Sequence, residues 1–143
     1  MNIAIVTYAD RHFEGVKILW QEVFPDSPPW NGADVAIPAK IAFQPELFLV
    51  AVDGGHVVGS VMAGYDGNRG WLYAVAVLNS RQRQGVGTAL VHAAEKCLRS
   101  LGCGKINLQV RATNSAVVRF YKHLGYTVED RVSMGKRVSG LPN

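Results

Sequence analysis

The sequence predicts a mixed α/β fold in which an antiparallel meander is followed by a β-α-β crossover. Three strand-like runs, Leu47–Val52, His56–Tyr65 and Gly70–Leu78, are separated only by the turn signals D-G-G and D-G-N-R-G. Turns this short join antiparallel neighbours. An amphipathic helix and another strand come next, an order that demands a parallel pair. The whole chain reads β-α-α-β-β-β-α-β-α-β.

Residues Asn2–Tyr8 form the first β-like run, and Asp10 is the expected N-cap of a helix with Phe13, Val16, Trp20 and Val23 on one face. Pro25 ends that helix and opens a proline-rich loop to Ala33. Pro38 suits the first turn of a short helix reaching about Phe43. After the meander, Gly85 opens a helix whose apolar positions, from Val86 and Leu90 through Ala94 to Leu98, recur at helical spacing, and Gly102 is its stop. Lys105–Val110 alternates as a strand. Asn114 caps a last amphipathic helix with Val117, Phe120, Tyr121 and Leu124 on one face, Gly125 ends it, and Tyr126–Val138 is again β-like.

A chain of 143 residues, 48% apolar and 18% charged, suits one folded domain, expected over residues 1–138 with a short tail at 139–143. Its longest apolar run, Trp71–Leu78, is far short of the ~20 residues of a spanning helix. The first residues carry no export signal, so the expected location is cytoplasmic, with no membrane partner. Cys97 and Cys103 cannot make a disulfide framework, and neither they nor the four histidines show metal-ligand spacing, so no metal is expected. A net charge of +4 without a Lys/Arg block mildly favours an anionic ligand and does not point to nucleic acid.

The segment carrying most chemistry is Trp71–Leu90, in which an apolar strand and the loop N-S-R-Q-R-Q run into G-V-G-T-A-L at a helix start. Helix N-termini present unpaired N–H groups and partial positive charge, a ready phosphate site. Gly85 and Gly87 lack a Cβ that would hold a diphosphate off the amides of Gln84–Thr88, and Arg81 and Arg83 add positive charge. The first acid on this helix is Glu95, although first turns favour acids. A plain glycine-rich turn in a solvated basic loop stays open as the other reading. The P-loop is set aside because no Lys-Ser or Lys-Thr follows the glycines. The dinucleotide fingerprint fails because Leu90 stands at its third glycine and K-I-N-L-Q-V-R lacks a terminal acid.

The Q-R-Q-G-V-G run at Gln82–Gly87 and N-S-A-V-V-R-F-Y-K-H-L-G-Y at Asn114–Tyr126 resemble the two cofactor segments of the GNAT superfamily of N-acetyltransferases. The resemblance extends over about Asn2–Val138. P-W-N at Pro29–Asn31, G-Y-D-G-N-R-G at Gly64–Gly70 and M-G-K-R at Met134–Arg137 resemble the small bacterial single-domain acetyltransferases of the YpeA type.

The resemblance implies acetyl-CoA as cosubstrate, a primary amine as acceptor, and pantetheine inserted beside a splayed strand end at Val75, Ala76 and Val77. It places the diphosphate on Gln82, Arg83, Gln84, Gly85, Val86, Gly87 and Thr88, and a pantetheine amide on Asn114. The Val75 amide would face the thioester oxygen and the Val77 amide the pantetheine. Tyr121 would be the general acid, and Trp30 and Asn31 would wall the acceptor pocket. Each position also has a simpler reading: A-V-A-V as a buried strand, Tyr121 as a core aromatic, Asn114 as a cap, Trp30 as a lid. The strand start holds Trp71, Leu72 and Tyr73 where many relatives carry a glutamate, so no base is assigned among Glu22, Asp34, Glu46 and Asp66. A CoA or acyl-CoA binding module without chemistry is the alternative. The nature of the amine and the choice between monomer and homodimer stay open.

Overall fold

The computed structural model describes residues 2–139. Its contacts divide the chain into two compact units, Met1–Gln109 and Val110–Asn143. The first holds β1 (Ile3–Thr7), α1 (Phe13–Val23), α2 (Ala33–Phe43), β2 (Phe48–Asp53), β3 (His56–Tyr65), β4 (Gly70–Val77), α3 (Val86–Ser100) and β5 (Ile106–Leu108). The strands lie in the order β1-β2-β3-β4-β5, antiparallel as far as β4, with β5 parallel to β4. This is the meander and crossover that the turn lengths demanded.

Neighbouring strand residues face opposite ways, so the two faces can be assigned from β3. Trp20 of α1 reaches Ser60, and Met62 joins the cluster of Val16, Leu19, Trp20, Ile37 and Phe48, placing α1 and α2 on one face. Leu19 and Phe48 are fully buried, each worth about 1.5–3 kcal/mol of apolar transfer. On the other face a Cβ at Gly59 would lie 2.8 Å from Leu90 Cδ1 and 3.3 Å from Val86 Cγ1. Only glycine lets the first turns of α3 sit this close to the sheet.

Three expectations about elements need correction. Asp10 lies inside a 3-10 turn, Asp10–His12, that precedes α1; the buried His12 supplies the local bond instead, its Nδ1 accepting the Ala9 N–H at 3.0 Å. α2 begins at Ala33, more than a full turn before Pro38, so this proline is interior. It is exposed, so water can serve the carbonyl it leaves unbonded, while buried Ala33, Ile37 and Lys40 at helical spacing hold the helix.

The third correction concerns the strands around the second unit. β5 is only Ile106–Leu108, shorter than Lys105–Val110, and no strand forms in 126–138. Val128, Val132, Met134 and Val138 are 73% to 90% exposed, so that segment buries too little apolar surface to offset its ordering. Among its described residues the second unit has one helix, α4 (Ser115–His123), capped as expected by the Asn114 carboxamide, which accepts the Val117 N–H at 3.3 Å. Only residue 139 of the expected tail lies within the described residues.

Candidate active site

The β4 strand changes character halfway along. Its pairing with β5 covers Gly70, Trp71 and Leu72 and stops there. On its other side Met62 pairs with Tyr73 and Ser60 with Ala76, so Val61 alone faces both Ala74 and Val75. This is a β-bulge, which bends a strand and re-aims its groups. Ala74 takes φ +51°, a left-handed conformation that costs a residue with a Cβ on the order of 1 kcal/mol. Val75, Ala76 and Val77 therefore follow a bend, on a stretch of β4 past the end of β5.

The loop after β4 is tied down at several points. The Asn79 N–H donates to Glu22 Oε2 at 2.7 Å, and Arg81 Nη1 lies 2.7 Å from Asp53 Oδ2. Gln82 Nε2 donates to the Val77 carbonyl at 3.3 Å and to Asn79 Oδ1 at 3.2 Å. Arg81 is thus held by a carboxylate of β2, while Arg83 and Gln84 are exposed beside the helix start.

Gly85 caps α3 at φ +82°, and the first helical bond runs from Ala89 N–H to the Gly85 carbonyl. The amides of Gly85, Val86, Gly87 and Thr88 therefore precede the helical ladder, in a first turn with no acid. Val86 is buried against the sheet, so it contributes backbone rather than side chain.

On the α1 and α2 face, Lys40 is 5% exposed and donates to the Ala63 carbonyl and to Gln44 Oε1. Its ammonium lies 5.4 Å from the centroid of the Tyr73 ring. Burial pulls its pKa down to about 8, with Glu46 opposing the shift. Asn31 helps line a cleft of about 320 Å3 with Lys17, Trp20, Phe24 and Asp34; Trp30 lies beside it without lining it.

The carboxylates considered as bases have other partners or surroundings. Glu22 braces the loop, Asp34 pairs with Lys17 at 3.3 Å, and Asp66 accepts the Arg69 and Asn68 amides at 2.7 and 2.8 Å. Those turn amides hold the Asp66 carboxyl below its usual range. Glu46 sits in the 3-10 turn Pro45–Leu47.

In the second unit Tyr121 is 8% exposed, with the rings of Phe120 and Tyr126 at 5.0 and 5.6 Å. Burial pushes its phenol up to about 12, so it holds its proton throughout the physiological range. Ser60 and Trp20, joined by a buried hydrogen bond of 2.9 Å, carry no site assignment in the sequence reading. A single serine inside the apolar run V-V-G-S-V-M-A was the available signal.

The site thus consists of a strand end bulged against β3 and past the last β5 pairing, beside a helix headed by glycine. The Acetyltransferase (GNAT) family model matches residues 13–126, and the chain belongs to that family of acetyltransferases. An acetyltransferase of Yersinia enterocolitica is 41% identical over 138 residues, covering 96% of each protein. Among solved structures, Ard1 from Thermoplasma volcanium is 25% identical with a TM-score of 0.80, over 90% of this chain and 85% of that one. The PaiA N-acetyltransferase of Thermoplasma acidophilum, in complex with coenzyme A, is similar in fold, with a TM-score of 0.82 at 20% identity over 92% and 94%. Among the described residues no helix is long and apolar enough to cross a membrane.

Proposed function

We propose that this acetyltransferase moves the acetyl group of acetyl-CoA to a primary amine by direct attack, without a covalent enzyme intermediate. The observation that carries the reading is the end of β4–β5 pairing at Leu72, just before a bulge and the acid-free start of α3. An extended pantetheine can pair with backbone along the open strand, and a diphosphate suits the amides of Gly85–Thr88. The coenzyme A held by the Thermoplasma acidophilum neighbour supports the same ligand here.

Acetyl-CoA supplies an activated thioester, and the chain supplies the groups around it. The Val75 amide donates to the carbonyl oxygen on which negative charge develops. Tyr121, fully protonated at neutral pH, gives a proton to the departing thiolate. Asn114 binds a pantetheine amide through the part of its carboxamide that the cap bond leaves over. Asn31 and Trp30 contact the acceptor at the α1–α2 loop. The amine, with a pKa of ~10 in water, sheds its proton to ordered water or on desolvation, so no protein carboxylate is required.

Calorimetry with acetyl-CoA, followed by thiol release against a panel of amines, amino acids and peptides, tests the reading. Binding and thiol release above the hydrolysis background are expected. Absence of binding overturns it, and tight binding with no turnover on any amine leaves a CoA-binding module in its place.

A further inference from the structure

We infer that Ser60 is a positioning residue that sets the direction of the oxyanion-binding amide, acting through the bulge carbonyl and itself anchored by Trp20. Trp20 Nε1 donates to Ser60 Oγ at 2.9 Å, and Ser60 Oγ donates to the Ala74 carbonyl at 2.8 Å. Ser60 is fully buried and Trp20 is 6% exposed, so water does not compete for either bond. The hydroxyl has one proton to give, and the indole, which only donates, takes up one of its lone pairs. That leaves the serine proton for Ala74.

The Ala74 carbonyl and the Val75 N–H belong to one peptide unit. That unit is planar, and no cis peptide occurs among the described residues. Its carbonyl and N–H therefore point in opposite directions. By drawing the carbonyl toward the α1 face, Ser60 turns the Val75 N–H away from it. Ala74 sits at φ +51°, a conformation that an L residue keeps only when its surroundings enforce it, and the Ser60 bond is such a constraint. A carbonyl that accepts a hydrogen bond also makes the N–H of its own peptide a stronger donor, so the relay aims and polarises the amide together.

The inference rests on the reading that the Val75 amide faces the thioester oxygen, and the experiment separates the two. The carbonyl stretch of acetyl-CoA labelled with carbon-13 at the carbonyl carbon is recorded by difference infrared on the intact protein, wild type and Ser60→Ala, at saturating ligand. A donor on that oxygen lowers the frequency. The wild type is expected to show a downshift that Ser60→Ala largely loses, with kcat falling on the order of ten- to a hundredfold and the acetyl-CoA Kd within about twofold. An equal downshift in both proteins overturns the role of Ser60 and leaves the Val75 reading standing. No downshift in the wild type, with ligand bound, overturns both. If Ser60→Ala does not fold, Trp20→Phe serves: it keeps an aromatic ring in the core but unanchors the hydroxyl, and a partial loss of the downshift is expected. A downshift unchanged from wild type then overturns the relay.

Discussion

The Glu22 carboxylate near the end of α1 accepts the Asn79 backbone N–H at 2.7 Å, tying the core helix to the loop that leads into α3. With the Arg81–Asp53 pair and the Gln82 bond to Val77, it fixes the path from the bulged strand to the helix start. A preformed cradle loses less ordering entropy when a phosphate arrives than a mobile one does.

Glu22→Ala should therefore weaken acetyl-CoA binding by about three- to tenfold, the equivalent of one charged hydrogen bond at an exposed site. The melting temperature should hardly move, because the residue is exposed and packs no core. Titration calorimetry beside a thermal melt checks both. An unchanged Kd would show that the loop holds its shape without this brace.

Gly85 separates the needs of the fold from those of the ligand. Its φ of +82° charges any L residue a left-handed penalty of about 1 kcal/mol, yet a Cβ there would meet nothing within 4 Å. Gly85→Ala should fold with a melting temperature lower by a few degrees. Acetyl-CoA affinity should fall at least tenfold, since on the proposed binding mode the methyl group intrudes where the diphosphate would meet the amides. A normal affinity in the folded variant would move the phosphate site away from this turn.

What could be read in the residues was what is local. The Gly85 start of α3, its Gly102 stop, the Asn114 cap and the apolar face of α1 all depend on neighbours within a turn or two, and all are present. The bulge at Ala74 and Val75 was not legible, because it arises from register against β3, and a run such as Y-A-V-A-V looks the same paired or splayed. Ser60 acquires its part only through that register. The alternation in 126–138 failed for the converse reason: period two states what a strand could bury, not whether a partner exists. Pro38 was misplaced because an exposed interior proline is tolerated when a buried stripe holds the helix around it.

Lys40 gives the stability a distinctive pH dependence. Its pKa is about 8 in the fold against 10.5 in an exposed lysine, so between these values the unfolded chain binds a proton that the native chain does not. Stability from this residue therefore rises with pH across that window, by on the order of 3 kcal/mol if the whole shift is realised. Denaturant titrations at pH 7.5, 9 and 10.5 should show the rise in wild type and its loss in Lys40→Met. Parallel profiles for the two proteins would mean that the ammonium stays solvated.

Tyr121 behaves in the opposite sense, and its two roles can be measured apart. The phenol is raised to about 12 from its ordinary 10, so the native chain keeps a proton that the unfolded chain loses, and its contribution is complete below pH 10. As pH climbs from 10 through about 12 that contribution disappears, by on the order of 2–3 kcal/mol. Tyr121→Phe keeps the ring beside Phe120 and Tyr126 and should partly flatten this stretch of the profile, the phenols of Tyr8 and Tyr73, also raised by desolvation, keeping their own share. On the proposed mechanism the same variant lacks the proton donor at neutral pH, so kcat should fall by about ten- to a hundredfold with acetyl-CoA affinity nearly unchanged; thiolate, a good leaving group, needs less help than an alkoxide. A flattened stability profile together with unchanged kcat would make Tyr121 a core aromatic and remove it from the chemistry.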